Sequence, residues 1–417
     1  MDSAIQNQRR RDGHHRSHRA RVPPAVFVLA ASIFSLGTTE FMIAGLLPTI
    51  AGDLGVSIPS AGLLISGFAI GMAVGTPLMT AATLRLPRRA TLLASLLVFV
   101  LGHVLAALAT TYGVLMTARI ITAVACGTFW AAAAVVSVAL APAGARAKAL
   151  AVLLGGLTVS NVVGVPLGAL VGQQLGWRAA FWAVAVLASV SAVGVAMVAP
   201  RARGVAAPAA LRHELRTFAS SRVWVALATI AVFQAAVFSV FSYVAPLLTD
   251  HAGWPVSRVP VVLALFGLGS LLGIVLGGKV ADRNLFLNLY AGLATPSLVL
   301  AALALVARSG MAATVAIVAM AVTAFSVAPA INARVFVVAG DAPTLASSAT
   351  TSAFNVGNTV GPWIGGTVIG AGLGYAAPAW LGAGLALLAL GMAVMAGTRE
   401  KRARRAAEMI VPCATLT

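Results

Sequence analysis

The sequence predicts an all-α membrane protein, with twelve transmembrane helices arranged as two six-helix halves. Three observations predict it. Of the 417 residues 60% are hydrophobic and only 9% are charged, whereas soluble domains carry roughly 25% charged residues. The apolar residues fall into twelve runs, each near the about 20 residues that a helix needs to cross the hydrocarbon of a bilayer. The second six runs repeat features of the first six at a nearly constant spacing.

The first half holds the runs 25–47, 60–83, 90–110, 113–138, 149–174 and 177–199, and the second half holds 223–247, 259–280, 285–306, 311–335, 347–372 and 376–397. The first run is too long for the apolar core of a signal peptide and is followed by many others, so it is expected to stay in the membrane. Glycine, 41 residues in all, sits inside these runs, as it does where membrane helices approach closely.

Loop charge orients the runs. With the N-terminus placed inside, interior loops and tails hold 24 of the 28 Lys and Arg, while Arg178, Arg258 and Arg308 fall outside and Arg119 lies within a run. Cytoplasmic loops carry the basic excess, so both termini are expected in the cytoplasm and the chain in the cell membrane. The organisation read this way is a basic tail (1–24), a six-helix half (25–199), a polar cytoplasmic linker (200–222), a second half (223–397) and a second tail (398–417). A net charge of +18 raises nucleic acid as a partner. The charge is dispersed among tails and short loops, however, and no basic domain is present to dock a phosphate backbone. The lipid bilayer is the expected partner, and the protein is expected to be a monomer.

Several classes are excluded. Two cysteines, Cys126 in an apolar run and Cys413 in the tail, cannot form a disulfide framework. No G-x-x-x-x-G-K-[ST] loop is present, so ATP is not expected to drive the protein. No nucleophile–base arrangement or metal-ligand cluster is evident, so no covalent catalysis and no cofactor is expected.

The repeat is specific. "FAIGMAVG" (68–75) matches "FGLGSLLG" (266–273) at a spacing of 198, which also carries Pro48 onto Pro246 and Arg85 onto Arg283. "NVVGVPLG" (161–168) matches "NTVGPWIG" (358–365) at 197. Glycine and alanine bias produces some such matches, but not the Pro, Arg and Asn coincidences together.

Parallel six-helix repeats joined by a linker are the architecture of major facilitator transporters, and the motifs resemble that family. "GGKVADR" (277–283) resembles its cytoplasmic loop between the second and third helices of a half; the counterpart "GTPLMTAATLRLPRR" (75–89) keeps the glycine and the basic end but lacks the acid. "RIITAVACG" (119–127) resembles the fourth-helix motif with a buried arginine. "GLTVSNVVGVPLGALVGQQLGWRAAFW" (156–182) looks like the Gly-Pro motif of the fifth helix in drug/proton antiporters. With "TTEFMIAGLLPTIAGDLGVS" (38–57), these segments resemble the chloramphenicol-efflux branch of actinobacterial type, a neighbour of the sugar-efflux permeases. The resemblance covers residues 25–397. It implies proton-coupled export of a small-molecule drug, the proton gradient being the energy source.

Glu40 and Arg119 are the two strongly ionisable residues more than one position from the end of a run, and an intramembrane charge marks a functional site by default. At 1.5 Å per residue Glu40 lies about 12 Å, and Arg119 about 9 Å, below the outer side. The resemblance places both helices at the central cavity. Two readings stay open: a proton switch, in which protonation of Glu40 weakens its pairing with Arg119, or a static ion pair. Both expect the two side chains to pair. Alternatively, Arg119 holds the fourth helix against backbone carbonyls, since its guanidinium has five donors. His103 lies at similar depth on a helix that the resemblance puts at the periphery, where its role is structural.

The Gly/Pro runs, with Gly164, Pro166 and Gly168 in one half and Gly361, Pro362 and Gly365 in the other, permit close packing and bending. The resemblance places such helices at a rocking interface. The basic loops give gate candidates Arg85, Arg88, Arg89, Asp282 and Arg283, which also set topology. Polar cavity candidates are Asn161, Gln234, Tyr243, Asn355 and Asn358; aromatic ones are Phe41, Phe129, Trp130, Phe238 and Phe241. Few charges, several amides and aromatic faces suit a neutral, partly apolar aromatic ligand. Chloramphenicol fits. The alternatives are a sugar or metabolite efflux permease of the same fold, or a non-transporting membrane sensor.

Overall fold

A computed structural model describes residues 22–83, 86–199, 220–339 and 343–410. Ten spans are paired with ten of the runs directly: α1 (Pro24–Gly45), α2 (Ile58–Ala82), α3 (Arg88–Ala107), α4 (Tyr112–Leu140), α5 (Arg146–Leu175), α6 (Trp177–Val198), α7 (Ser221–Phe241), α8 (Val256–Arg283), α9 (Leu285–Val306) and α10 (Gly310–Ala339). Two more follow, α11 (Pro343–Val368) and α12 (Ala377–Ile410). Eleven of the twelve are long and apolar enough to cross a bilayer by composition; α11 is not among them. Its middle carries Thr350, Thr351, Ser352, Asn355, Asn358 and Thr359, and hydroxyls and amides lower its hydropathy. It is nonetheless placed inside the bundle against α7 and α2, where those groups find backbone partners.

Local chemistry sets the boundaries. Ser57, Thr111 and Asn284 cap the starts of α2, α4 and α9 by accepting the backbone N–H of Ser60, Val114 and Leu287, which satisfies one orphan donor of each first turn. Wide π-helical turns at Gly71–Gly75 and Ser160–Gly164 precede Pro77 and Pro166. A proline has no N–H to give and its ring crowds the carbonyl four residues back, so the helix loosens there. The expected first run, 25–47, is not one regular helix. The α-helical part stops at Phe41, a 3₁₀ turn occupies Met42–Gly45, and a short helix, Leu47–Leu54, continues at Pro48. The expected tail beyond 397 is likewise helical as far as Ile410. The segment TREKRARRAAEMI contains strong helix formers and neither Gly nor Pro to stop α12. The 1–24 tail and the 200–222 linker fall almost entirely outside the described residues.

Packing reproduces the repeat. In the first half α1 lies on α5 and α6, α3 on α4 and α6, and α2 on α4; the second half has α7 on α11 and α12, α9 on α10 and α12, and α8 on α10. The halves meet through the symmetric pair α2–α11 and α8–α5. Glycines permit the approach at equivalent places. A Cβ on Gly361 or Gly365 would sit 2.7 or 2.6 Å from the carbonyl oxygens of Ala235 or Ser239 on α7, and Gly164 and Gly168 lie on Thr38 and Met42 of α1 in the same way. The motif glycines therefore join helices within a half. Leu175, Met197 and Leu305 are more than 70% exposed, as befits an outer face whose solvent is lipid.

Candidate functional site

The two halves close on each other at the end where α1 and α7 finish. Ser66 of α2 donates to the Thr359 carbonyl of α11 at 2.7 Å, Gly45 abuts Leu263, and Gly62 and Gly366 accept the Tyr243 ring between them. Tyr243 donates its hydroxyl to the Pro362 carbonyl at 2.7 Å. Beneath this seal is an aromatic plug that crosses the halves: the Phe41 ring lies 5.1 Å from Phe238 and 5.9 Å from Phe241, and Phe241 stacks 4.4 Å from Phe266. Aromatic pairs at these spacings are favourable beyond the area they bury.

Below the plug a cavity of about 370 Å³ extends between the halves toward the end where α5 and α11 begin. Glu40, Phe41, Phe129, Trp130, Asn161, Gln234, Phe238, Asn355 and Asn358 line it, so nine expected residues from five helices converge on one site. Two expected ligands do not. Phe241 stands behind Phe238 in the plug, and Tyr243 is spent on the seal. The reason is the break after α7: the helix ends at Phe241 and the chain turns, carrying Tyr243 toward α11 instead of the lumen. Sequence reasoning missed Met72, Cys126, Phe233, Phe325 and Phe354 in the wall. For Phe233 the signal was available, because it stands one turn before Val237 and beside Gln234, which itself stands one turn before Phe238.

Glu40 is partly exposed to the cavity. The expected Glu40–Arg119 pairing is not made: among the described residues the ion pair found is Arg178–Asp53. Arg119 is fully buried and its guanidinium is occupied by oxygen atoms of the backbone and of one hydroxyl. It donates to the Thr39 carbonyl (3.0 Å), the Thr39 hydroxyl (3.1 Å), the Glu40 carbonyl (3.4 Å) and the Leu64 carbonyl (3.5 Å), and lies 4.2 Å over the Phe68 ring. Three backbone acceptors around a planar fork explain the correction: the helix ends its regular turns at Phe41 and offers the carbonyls of its last turn, which draw the donors that a carboxylate would have taken. His103 contacts the Thr39 hydroxyl at 2.9 Å and the Phe99 carbonyl at 2.9 Å, which gives it a structural role on α3. Thr39 thereby joins three helices, and no charge or size marked it in the sequence.

The gate candidates belong to separate elements: Arg88 and Arg89 begin α3, and Asp282 and Arg283 end α8. Arg89 donates to the Ala196 carbonyl and so fastens α3 to α6. Asp282 and Arg283 are exposed at the end of α8, and none of Arg88, Arg89, Asp282 or Arg283 takes part in an ion pair among the described residues. Arg85 lies outside the described residues. At the opposite, sealed end Asp53 accepts from Trp177 Nε1 at 3.0 Å and from Arg178 at 2.5 Å, while Arg178 also reaches the Ala109 carbonyl. These hydrogen bonds, first Arg178 and then Trp177, hold the Asp53 carboxyl below its ordinary range.

Two symmetric six-helix halves, sealed at one end around an apolar cavity with a single acidic side chain in its wall, define a membrane carrier of small molecules. The Major Facilitator Superfamily model matches residues 29–351, and the chain belongs to that family. It is 40% identical to the chloramphenicol resistance protein of Streptomyces lividans over 374 residues, 88% of this chain and 95% of that one. It is 37% identical to the inner membrane transport protein YdhP of Escherichia coli K12 over 375 residues, 90% and 96% of the two chains. A solved bacterial homolog of the human lysosomal transporter Spinster, inward-facing and unoccupied, has the same fold with a TM-score of 0.71 at 20% identity, covering 90% of this chain and 96% of that one.

Proposed function

We propose that this transporter exports a neutral aromatic antibiotic, with chloramphenicol the leading candidate, across the cytoplasmic membrane in exchange for protons. The observation that carries the reading is Glu40: a carboxyl in the wall of an otherwise apolar, aromatic cavity, with no ion pair to hold it charged. Taking up a proton there removes the cost of a charge in a low-dielectric site. Likeness to the Streptomyces chloramphenicol resistance protein supports the drug. With both termini cytoplasmic, the cavity opens inward in this conformation and the seal at Tyr243 and Ser66 faces outside.

In the proposed cycle the drug enters from the cytoplasm against Phe129, Trp130 and Phe238. The halves rock about the α2–α11 and α5–α8 contacts, and a proton loading Glu40 from outside releases the drug. One proton crossing about 100 mV releases about 2.3 kcal/mol, which sustains roughly a fifty-fold gradient of an uncharged drug. The test is chloramphenicol susceptibility and energised efflux in a sensitive host, wild type beside Glu40→Gln. A protective wild type and a well-expressed but inactive Glu40→Gln are expected. Equal protection by both proteins would remove Glu40 from coupling, and protection by neither would remove chloramphenicol as the substrate.

A further inference from the structure

The two halves fill one pair of matching positions from opposite sides. At the 197-residue spacing Gly37 matches Gln234, Ser160 matches Gly357 and Asn161 matches Asn358. In the first half α1 supplies the glycine: a Cβ on Gly37 would lie 2.5 Å from the Ser160 hydroxyl and 2.8 Å from Leu157, so α5 closes over it. In the second half α11 supplies the glycine, and a Cβ on Gly357 would lie 2.5 Å from that of Gln234. The Gln234 stem therefore rests on the bare backbone of α11 and carries its amide to Asn358, donating from Nε2 to Oδ1 at 2.9 Å. The first half has no such pair, and the Asn161 oxygen is shut inside the wall, as is that of Asn355.

The single bond between Gln234 and Asn358 uses one end of each amide. Gln234 keeps an unused carbonyl oxygen and Asn358 an unused NH2, an acceptor and a donor on adjoining groups. Exchanging the roles of the two amides leaves the same two functions free. Both residues line the cavity, and neither unused atom is among the unpaired polar atoms that the wall closes off. Aromatic rings bracket the pair: Phe238 stands one turn along α7 from Gln234, and Phe354 one turn along α11 from Asn358. Among the described residues that line the cavity Glu40 alone is charged, and it belongs to the other half. Resting on the reading of this cavity as the drug site, we infer that Gln234 and Asn358 together bind an uncharged hydroxyl of the substrate. The hydroxyl donates to the free carbonyl and accepts from the free NH2, both from one oxygen. A carboxylate uses only the donor and an ammonium only the acceptor, and either brings a charge to a wall that has none to balance it. The substrate class narrows to neutral aromatic alcohols, held with the ring against Phe238 and Phe354 and the hydroxyl toward the second half. Chloramphenicol is of this class.

The test is equilibrium binding to the purified full chain in lipid nanodiscs. The ligands are chloramphenicol, the analogues in which fluorine replaces either hydroxyl, and a panel of smaller neutral aromatic alcohols, each beside its fluoro counterpart. Fluorine is close to a hydroxyl in size and cannot donate. Wild type is compared with Gln234→Met and Asn358→Leu, which keep the side-chain bulk and lose the amide; either variant decides alone if the other does not fold. Wild type is expected to favour an alcohol over its fluoro counterpart by about three- to tenfold, and both variants to bind the two alike. A hydroxyl preference that persists in the variants overturns the inference, because the pair then serves only to join α7 to α11. A wild type without the preference overturns it as well, as does one that binds no alcohol at all. A wild type that shows the preference across the panel but ignores chloramphenicol supports the amide pair and refutes the drug.

Discussion

Replacing Arg119 by lysine separates a guanidinium that is needed as a charge from one that is needed as a fork. Lysine keeps the charge, but its donors radiate from one nitrogen on a compact head, whereas the Arg119 nitrogens reach Thr39, Glu40 and Leu64 from three directions at 3.0 to 3.5 Å. A lysine at this site retains at most two of the four contacts. Each charge-assisted bond contributes about 1.5 kcal/mol, and the stacking over Phe68 about 1 kcal/mol more at a desolvated site. The loss is therefore about 3–4 kcal/mol. Measured exchanges inside membrane proteins run nearer 0.6 kcal/mol per hydrogen bond, because the unfolded chain also finds partners, which sets a floor near 1 kcal/mol. The assay is reversible denaturation in mixed micelles, with efflux measured in parallel. Arg119→Lys is expected to be destabilised within that range and to lose transport, because the last turn of α1 beside Glu40 is no longer held. A lysine variant as stable and as active as wild type would refute the fork and restore Arg119 to a purely electrostatic role.

Other expectations concern the sealed end. Ser66→Ala removes the hydrogen bond from α2 to the Thr359 carbonyl; about 1 kcal/mol lost from one conformation shifts the equilibrium roughly fivefold toward the opposite opening, measurable as a changed distance distribution between spin labels on the two halves. The latch at Asp53 gives a pH dependence. Its folded carboxyl lies below the ordinary value of 3.8, so the stability it contributes is present above that value and is lost as pH falls through the folded one. The difference in melting temperature between wild type and Asp53→Asn is thus expected to be constant near neutral pH and to vanish in acid; a difference that grows on acidification would contradict the latch.

The chain alone determined the fold class, the repeat and the converging faces of the cavity, because bilayer thickness fixes run length and because a side chain's position along a helix fixes its face. Glu40, Phe129, Trp130 and Asn161 were legible for that reason: each interrupts or punctuates an apolar helix at a depth that can be counted. Tertiary structure decided what those residues touch. Whether Arg119 meets a carboxylate or a carbonyl depends on where α1 stops being regular, and that stop, at Phe41, follows from local backbone geometry at Met42–Gly45. Tyr243 left the lumen for the same kind of reason, a helix that ends at Phe241, while Phe241 itself is taken up by the ring cluster with Phe41, Phe238 and Phe266. Thr39 joins Arg119 to His103 through a hydroxyl that no pattern of charge or hydropathy marks. Periodicity reports which face a residue occupies; it carries no information about the distance from one helix to the next, and hydrogen bonds depend on that distance to within a few tenths of an ångström.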